Sequence, residues 1–185
     1  MFIQTEATPN PATLKFIPGK PVLPGSTREY RKAADALESP LAEKLFSVNG
    51  VSGVFLGHDF ISVTKGSGDW QHLKPAILGT IMDHYVSGAP ILEGEAKIEQ
   101  QGEEFFADEH SEIVKTIKDL LDSRVRPAVA QDGGDITFKG FKEGVVYLNM
   151  KGSCSGCPSS TATLKHGIEN LLKHFVPEVS EVRPV

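Results

Sequence analysis

At 185 residues, with 39% hydrophobic and 23% charged side chains, the chain has the make-up of an ordinary soluble globular protein of one domain or two small ones. No apolar run approaches the roughly 20 residues that span a bilayer. The opening residues have neither a signal-peptide core nor arginine-rich transit character, so a bacterial-type cytoplasmic protein is expected, with the mitochondrial matrix as the setting if this is a processed eukaryotic form. The net charge of −5 resides in residues 89–110, where Lys97 stands against seven carboxylates; without a basic excess in either half, the electrostatic footprint of nucleic-acid binding is absent.

In chain order, Phe2-Ile3-Gln4-Thr5 and Thr13–Ile17 read as strands about the rigid turn Thr8-Pro9-Asn10-Pro11. Residues 19–38 read as a loop with some helical tendency near Arg31–Leu37, because Pro21 and Pro24 oppose a long strand. Ser39-Pro40 opens a short helix, serine as N-cap and proline at the first helical position. Val51–Leu56 and Phe60–Thr64 predict a hairpin about Gly57-His58-Asp59. Trp70, Leu73, Ile77, Ile81 and Tyr85 recur at helical spacing and predict a core-facing helix. Pro75 implies that this helix starts late or kinks. The first half thus reads β-β-α-β-β-α over residues 1–88.

Residues 89–110, glutamate-rich and holding Gly94 and Gly102, predict an acidic flexible linker with little to pack. From Ser111 a helix follows, with Ile113, Ile117, Leu120 and Leu121 as its buried stripe, Arg124 and Arg126 complementing its dipole, and Pro127 ending or bending it. Asp132-Gly133-Gly134-Asp135 predicts a tight turn rather than a carboxylate pair for chemistry. Strands are expected over Ile136–Phe141 and Val145–Met150, a helix from about Pro158 to Phe175 with Leu164, Ile168, Leu171, Leu172 and Phe175 on one face, and a last short strand over Val179–Val182. The second half, residues 111–185, reads α-β-β-α-β. The whole is α+β, two small domains joined by the acidic linker.

Gly152-Ser153-Cys154-Ser155-Gly156-Cys157-Pro158 holds the only two cysteines. A disulfide scaffold needs more cysteines at wider spacings, so the pair points to metal binding or redox work. Its place before a helix offers unpaired N–H groups and a favourable dipole, which predicts two anionic, outward-facing thiolates. A structural zinc or an iron–sulfur cluster usually takes four protein ligands; this chain supplies two thiols. His166 lies nine residues beyond Cys157 on a helix, roughly 13 Å away, and none of the other histidines has ligand spacing. The simplest completion is a second copy of the chain, two-fold association being the commonest oligomeric symmetry. A thioredoxin-like thiol–disulfide oxidoreductase and a zinc-bridged interaction module remain alternatives.

The run Gly152–Ser160, preceded by Val125-Arg126-Pro127 and by Gln131-Asp132-Gly133-Gly134-Asp135-Ile136, resembles the NifU-like C-terminal domain found in Nfu proteins. The first half, with Gln4-Thr5-Glu6, Thr8-Pro9-Asn10-Pro11, Leu14-Lys15-Phe16, Trp70 and Leu73-Lys74-Pro75, is similar to the N-terminal domain of the longer Nfu proteins. The resemblance implies a non-enzymatic iron–sulfur scaffold or carrier. Cys154 and Cys157 of two protomers would hold a bridging cluster, typically [4Fe-4S], with [2Fe-2S] as the smaller alternative. The cluster would be received from an upstream assembly scaffold and passed to apo iron–sulfur proteins, with no nucleic acid or membrane involved. The N-terminal domain would contact partners or modulate transfer.

Overall fold

The computed structural model describes residues 1–94, 104–155 and 158–185. The chain divides into two compact units, Met1–Ile98 and Glu99–Val185, and both mix helix with sheet. In the first, β1 (Gln4–Ala7), β2 (Thr13–Ile17), β3 (Arg28–Tyr30), β4 (Val51–Leu56) and β5 (Ile61–Lys65) form an antiparallel sheet in the order β1-β2-β5-β4-β3. Two α-helices, α1 (Pro40–Phe46) and α2 (Trp70–Ser87), complete the unit. Leu41, Leu45, Leu73, Ile77 and Ile81 from the helices meet Phe16, Val54, Ile61 and Val63 from the strands in one core.

Strand β3 corrects the expected β-β-α-β-β-α order, and a 3₁₀ helix over Ala33–Glu38 follows it. At three residues β3 is too short to show alternation, and one of its two buried side chains is Arg28. That guanidinium is accommodated beside Glu38, whose Oε1 lies 3.5 Å from Nε and accepts a 2.7 Å hydrogen bond from the Tyr30 hydroxyl. The Thr8–Pro11 turn is held by side-chain hydrogen bonds as well as by its two prolines. Thr8 Oγ1 bonds the Asn10 and Thr13 carbonyls, Asn10 Oδ1 accepts from the Ala12 amide, and the Trp70 indole N–H donates to the Pro11 carbonyl at 3.0 Å. Helix α2 starts at Trp70, not later. The Asp69 carbonyl accepts from the His72 and Leu73 amides, and the helix runs through Pro75 to a left-handed Gly88.

Within the core face of α2 sits His84, fully buried, with neither ring nitrogen hydrogen-bonded among the described residues. Burial, reinforced by the Lys44 charge, holds its pKa below the ordinary 6.5 against a weaker opposing pull from the Ala89 backbone. The unfolded chain takes up a proton as pH falls through 6.5 while the folded unit resists it, so stability is lost on the acid side of that value. Urea unfolding followed by the fluorescence of Trp70, the single tryptophan, should therefore show the unit weakening below pH 6.5. Most of that slope should vanish in His84→Leu.

The second unit contains α3 (Ser111–Leu120), a π-helical turn (Leu121–Val125), α4 (Arg126–Gln131), β6 (Gly134–Lys142), β7 (Val145–Gly152), α5 (Pro158–Phe175) and β8 (Glu181–Pro184). Pro127 neither ends nor simply bends the helical path. The wide π turn comes immediately before it and α4 takes Pro127 in its first turn, where a missing N–H and a bulky ring are tolerated. β6 and β7 pair antiparallel through a two-residue turn, Glu143-Gly144, in which both residues have positive φ (52° and 78°), the twist a tight hairpin needs. β8 returns parallel to β7 after the α5 crossover. Val114, Ile117, Leu121, Val125, Ile136, Val146, Leu148, Ile168 and Leu172 fill this core. Phe175, expected on the buried face of α5, is 45% exposed beneath the Arg124 guanidinium.

The expected linker is packed at both of its described ends, which corrects the reading of 89–110 as a segment with little to bury. Ile91 and Leu92 pack on the first core; the Ile91 carbonyl accepts from Ser39 Oγ, and the Glu93 amide donates to Glu38 at 2.7 Å. Phe105 forms a parallel bridge to Gly140 and its ring lies 5.1 Å from that of Tyr147, while Phe106 packs on Phe138. Two apolar pairs flank five of the seven carboxylates, and a charge count over the whole segment conceals them. Residues 95–103, its middle, lie outside the described residues.

Candidate functional site

The site is built where β7 ends and α5 begins, against the turn that carries α4 into β6. Gly133 takes a positive φ of 81°, so that turn is made as its sequence predicts. Gly134 then opens β6 opposite Gly152. Four bonds fasten the cysteine loop to this frame: the Ser153 amide donates to the Gly133 carbonyl at 3.3 Å, Ser153 Oγ donates to the Asp132 carbonyl, and the Ser155 amide and hydroxyl both donate to the Gly152 carbonyl. On the helix side, Thr161 Oγ1 donates to the Cys154 carbonyl at 2.9 Å.

Cys154 is 5% exposed and belongs to the core that also contains Ile136, Met150 and Ile168. Its sulfur lies over Gly134, where an added Cβ would come within 2.6 Å of Sγ and 2.8 Å of the Lys151 carbonyl. Burial pushes the Cys154 thiol up to about 11; the hydrogen bond with the Ser153 side chain partly offsets this, and the charges of Asp132 and Asp135 add to it. The expectation of two outward-facing thiolates is thus corrected for Cys154, which is tucked inward. The loop is tied back onto the 132–133 turn, and Gly134 leaves a hollow of one side chain for the sulfur. Cys157 lies outside the described residues.

Asp132 and Asp135 do not form a carboxylate pair. Asp135 is buried and receives two hydrogen bonds from Arg126, Nε to Oδ1 at 2.9 Å and Nη2 to Oδ2 at 3.0 Å, while its Oδ1 also accepts from the Ile136 amide. Arg126 Nη1 reaches Asp122 at 3.2 Å. The arginine expected to complement a helix dipole is instead held by two carboxylates, and its pKa is raised accordingly. His166 and His174 are exposed on α5, and among the described residues no three His, Cys, Asp or Glu side chains are grouped to hold a metal.

Cys154 offers a soft sulfur donor, and among the described residues no set of three His, Cys, Asp or Glu side chains is grouped with it. Gly134, Ser153 and Thr161 are the supporting residues that sequence reasoning passed over. The available signal was the doubled glycine: Gly133 alone satisfies the turn, which leaves Gly134 to be explained by something pressing on it.

Residues 3–88 match the family described as "Scaffold protein Nfu/NifU N terminal", and residues 117–183 match the "NifU-like domain". A human protein named "NFU1 iron-sulfur cluster scaffold homolog, mitochondrial" is 51% identical over 187 residues, covering 100% of this chain and 72% of its own. A Drosophila sechellia protein of the same name is 48% identical, with 100% and 65% covered. "NifU-like protein 4, mitochondrial" of Arabidopsis thaliana is 48% identical over 186 residues, with 98% and 65% covered. The chain thus spans about two thirds of the length of the curated relatives it matches. With both halves accounted for in order, the chain belongs to the Nfu family, an Nfu/NifU N-terminal domain followed by a NifU-like domain.

Proposed function

We propose that this protein is an iron–sulfur cluster scaffold and carrier. The observation that carries the reading is a thiol pair amounting to half a ligand set, on a NifU-like domain whose relatives are named for cluster scaffolding. Cys154 and Cys157 of two protomers supply four thiolates to one shared cluster, [4Fe-4S] being the form the family resemblance favours and [2Fe-2S] the smaller alternative. The cluster is cargo. It arrives from an upstream scaffold and leaves when the cysteine thiolates of an apo-protein replace those of Cys154 and Cys157 on iron, after which the two protomers separate. Residues 111–185 are the cluster-bearing domain. Residues 1–88, which contain no cysteine, contact partners, and the segment between tethers the two. The relatives' names favour the mitochondrial matrix as the compartment, and the cytoplasmic expectation finds no support in them.

Burial of Cys154 weighs against the oxidoreductase alternative. Reactive cysteines of CxxC enzymes are partly exposed, with depressed pKa values, whereas this one is enclosed and pushed the other way. Binding iron instead replaces the thiol proton with a metal whose charge suits a thiolate. Anaerobic reconstitution with iron and sulfide, followed by absorption spectroscopy, sizing and iron, sulfide and zinc analysis, tests the reading. The expected result is a sulfide-containing chromophore confined to the dimer and lost in Cys157→Ala. Bound zinc without sulfide supports the interaction-module alternative, and a monomer holding a full cluster refutes the shared site.

A further inference from the structure

We propose that Thr161 is the positioning residue for Cys154: its hydroxyl, through the Cys154 carbonyl, sets how the sulfur is presented. The inference rests on the reading of Cys154 as a cluster ligand.

Thr161 lies in the first turn of α5, seven residues after Cys154, and is half-buried. A threonine inside a helix ordinarily turns its hydroxyl to the carbonyl one turn back. Thr161 instead reaches past the start of its helix to a carbonyl in the preceding loop. The bond ties the loop that follows β7 to the first turn of α5, the two ends of the stretch of sequence that contains the second cysteine. On the strand side, Ser153 and Ser155 hold the residues on either side of Cys154 to the carbonyls of Asp132, Gly133 and Gly152. Cys154 is therefore fixed through its neighbours on one side and through its own carbonyl on the other. With the carbonyl fixed, only χ1 remains to direct Sγ, and Gly134 limits that torsion from below. Ligand arrays tolerate errors of about 0.5 Å, so a hydroxyl that removes backbone freedom at the ligand acts on the metal without touching it.

The test uses the full chain as apo-protein in a Cys157→Ser background, where Cys154 is the single thiol. Alkylation by iodoacetamide under native conditions at one fixed pH reads access to Cys154. Thr161→Val keeps the shape and removes the hydroxyl; it should alkylate about three- to tenfold faster, the range that one lost hydrogen bond gives a local opening. Thr161→Ser restores the hydroxyl and should return the rate to within about twofold of the parent. With both cysteines present, the visible circular dichroism of the reconstituted cluster should change in Thr161→Val and revert in Thr161→Ser. If the valine variant does not fold, Thr161→Ala makes the same comparison with a better helix former.

A hydroxyl-free variant that folds and alkylates no faster than the parent overturns the proposal, as does a serine variant that behaves like valine. The alkylation arm needs no iron. Failure to take up a cluster would sink the scaffold reading while leaving the Thr161–Cys154 coupling to stand or fall by its own rates.

Discussion

Gly134→Ala is expected to strip the protein of its cluster while leaving the first unit intact. The position does not call for a positive φ, so the penalty comes from space alone. The added methyl would sit 2.6 Å from the Cys154 sulfur and 2.8 Å from the Lys151 carbonyl, both inside contact distance. Neither neighbour yields readily. Sγ is the end of a one-torsion side chain whose backbone is held on both sides, and the Lys151 carbonyl belongs to a strand paired with β6. Overpacking of this kind costs about 1–3 kcal/mol, and a displaced support shell costs roughly 10- to 100-fold in metal affinity. Iron and sulfide retained after anaerobic desalting measure the second effect, and calorimetry measures the first. Gly167→Ala is the control. That glycine lies in the middle of α5 with nothing within 4 Å of an added Cβ, so alanine there should add up to about 1 kcal/mol of stability and leave cluster binding unchanged. Full cluster retention in Gly134→Ala would remove the packing account of the site.

The same glycine marks the limit of what the sequence displays. Periodicity located both main helix faces, the hairpins and the crossover helix, because Ile77, Ile81, Ile168 and Leu172 repeat at helical spacing and bury. Turn chemistry identified Gly133. It was silent on Gly134, whose requirement arises from a sulfur twenty residues away in the chain. Strand β3 was hidden for a related reason: Arg28 reads as a surface residue until Glu38, ten residues on, is seen beside it. The cysteine pair itself was legible. Its direction was not, since a helix N-terminus argues for exposed thiolates and only the tie between Ser153 and the 132–133 turn shows Cys154 drawn inward. Composition likewise described the acidic segment correctly on average and missed Ile91, Leu92 and Phe106 near its ends, which pack against the two cores.

The largest loss of stability is expected from breaking the Arg126–Asp135 pair. Asp135 is 4% exposed, and each of its oxygens accepts a hydrogen bond from the Arg126 guanidinium. Arg126→Ala removes two charge-assisted hydrogen bonds from a carboxylate enclosed beside the cysteine loop, whose Oδ1 keeps its bond from the Ile136 amide. Removing one partner of a buried pair costs about 3–5 kcal/mol, and the partly exposed arginine places this case near the lower end, at about 3 kcal/mol. For a unit of 87 residues that corresponds to a fall of roughly 12–20 °C in Tm. Calorimetry of the full chain reads it, with Trp70 fluorescence reporting the first unit separately. The double variant Arg126→Met, Asp135→Leu should recover most of the loss, because two apolar groups of similar size leave no charge stranded. It should still load the cluster, since neither side chain supplies a ligand. Arg126→Lys should recover little: an ammonium offers no planar fork to match the two carboxylate oxygens. Recovery by lysine equal to that of the double variant would mean that charge alone, rather than the two-pronged geometry, holds β6 to α4 behind the cysteine loop.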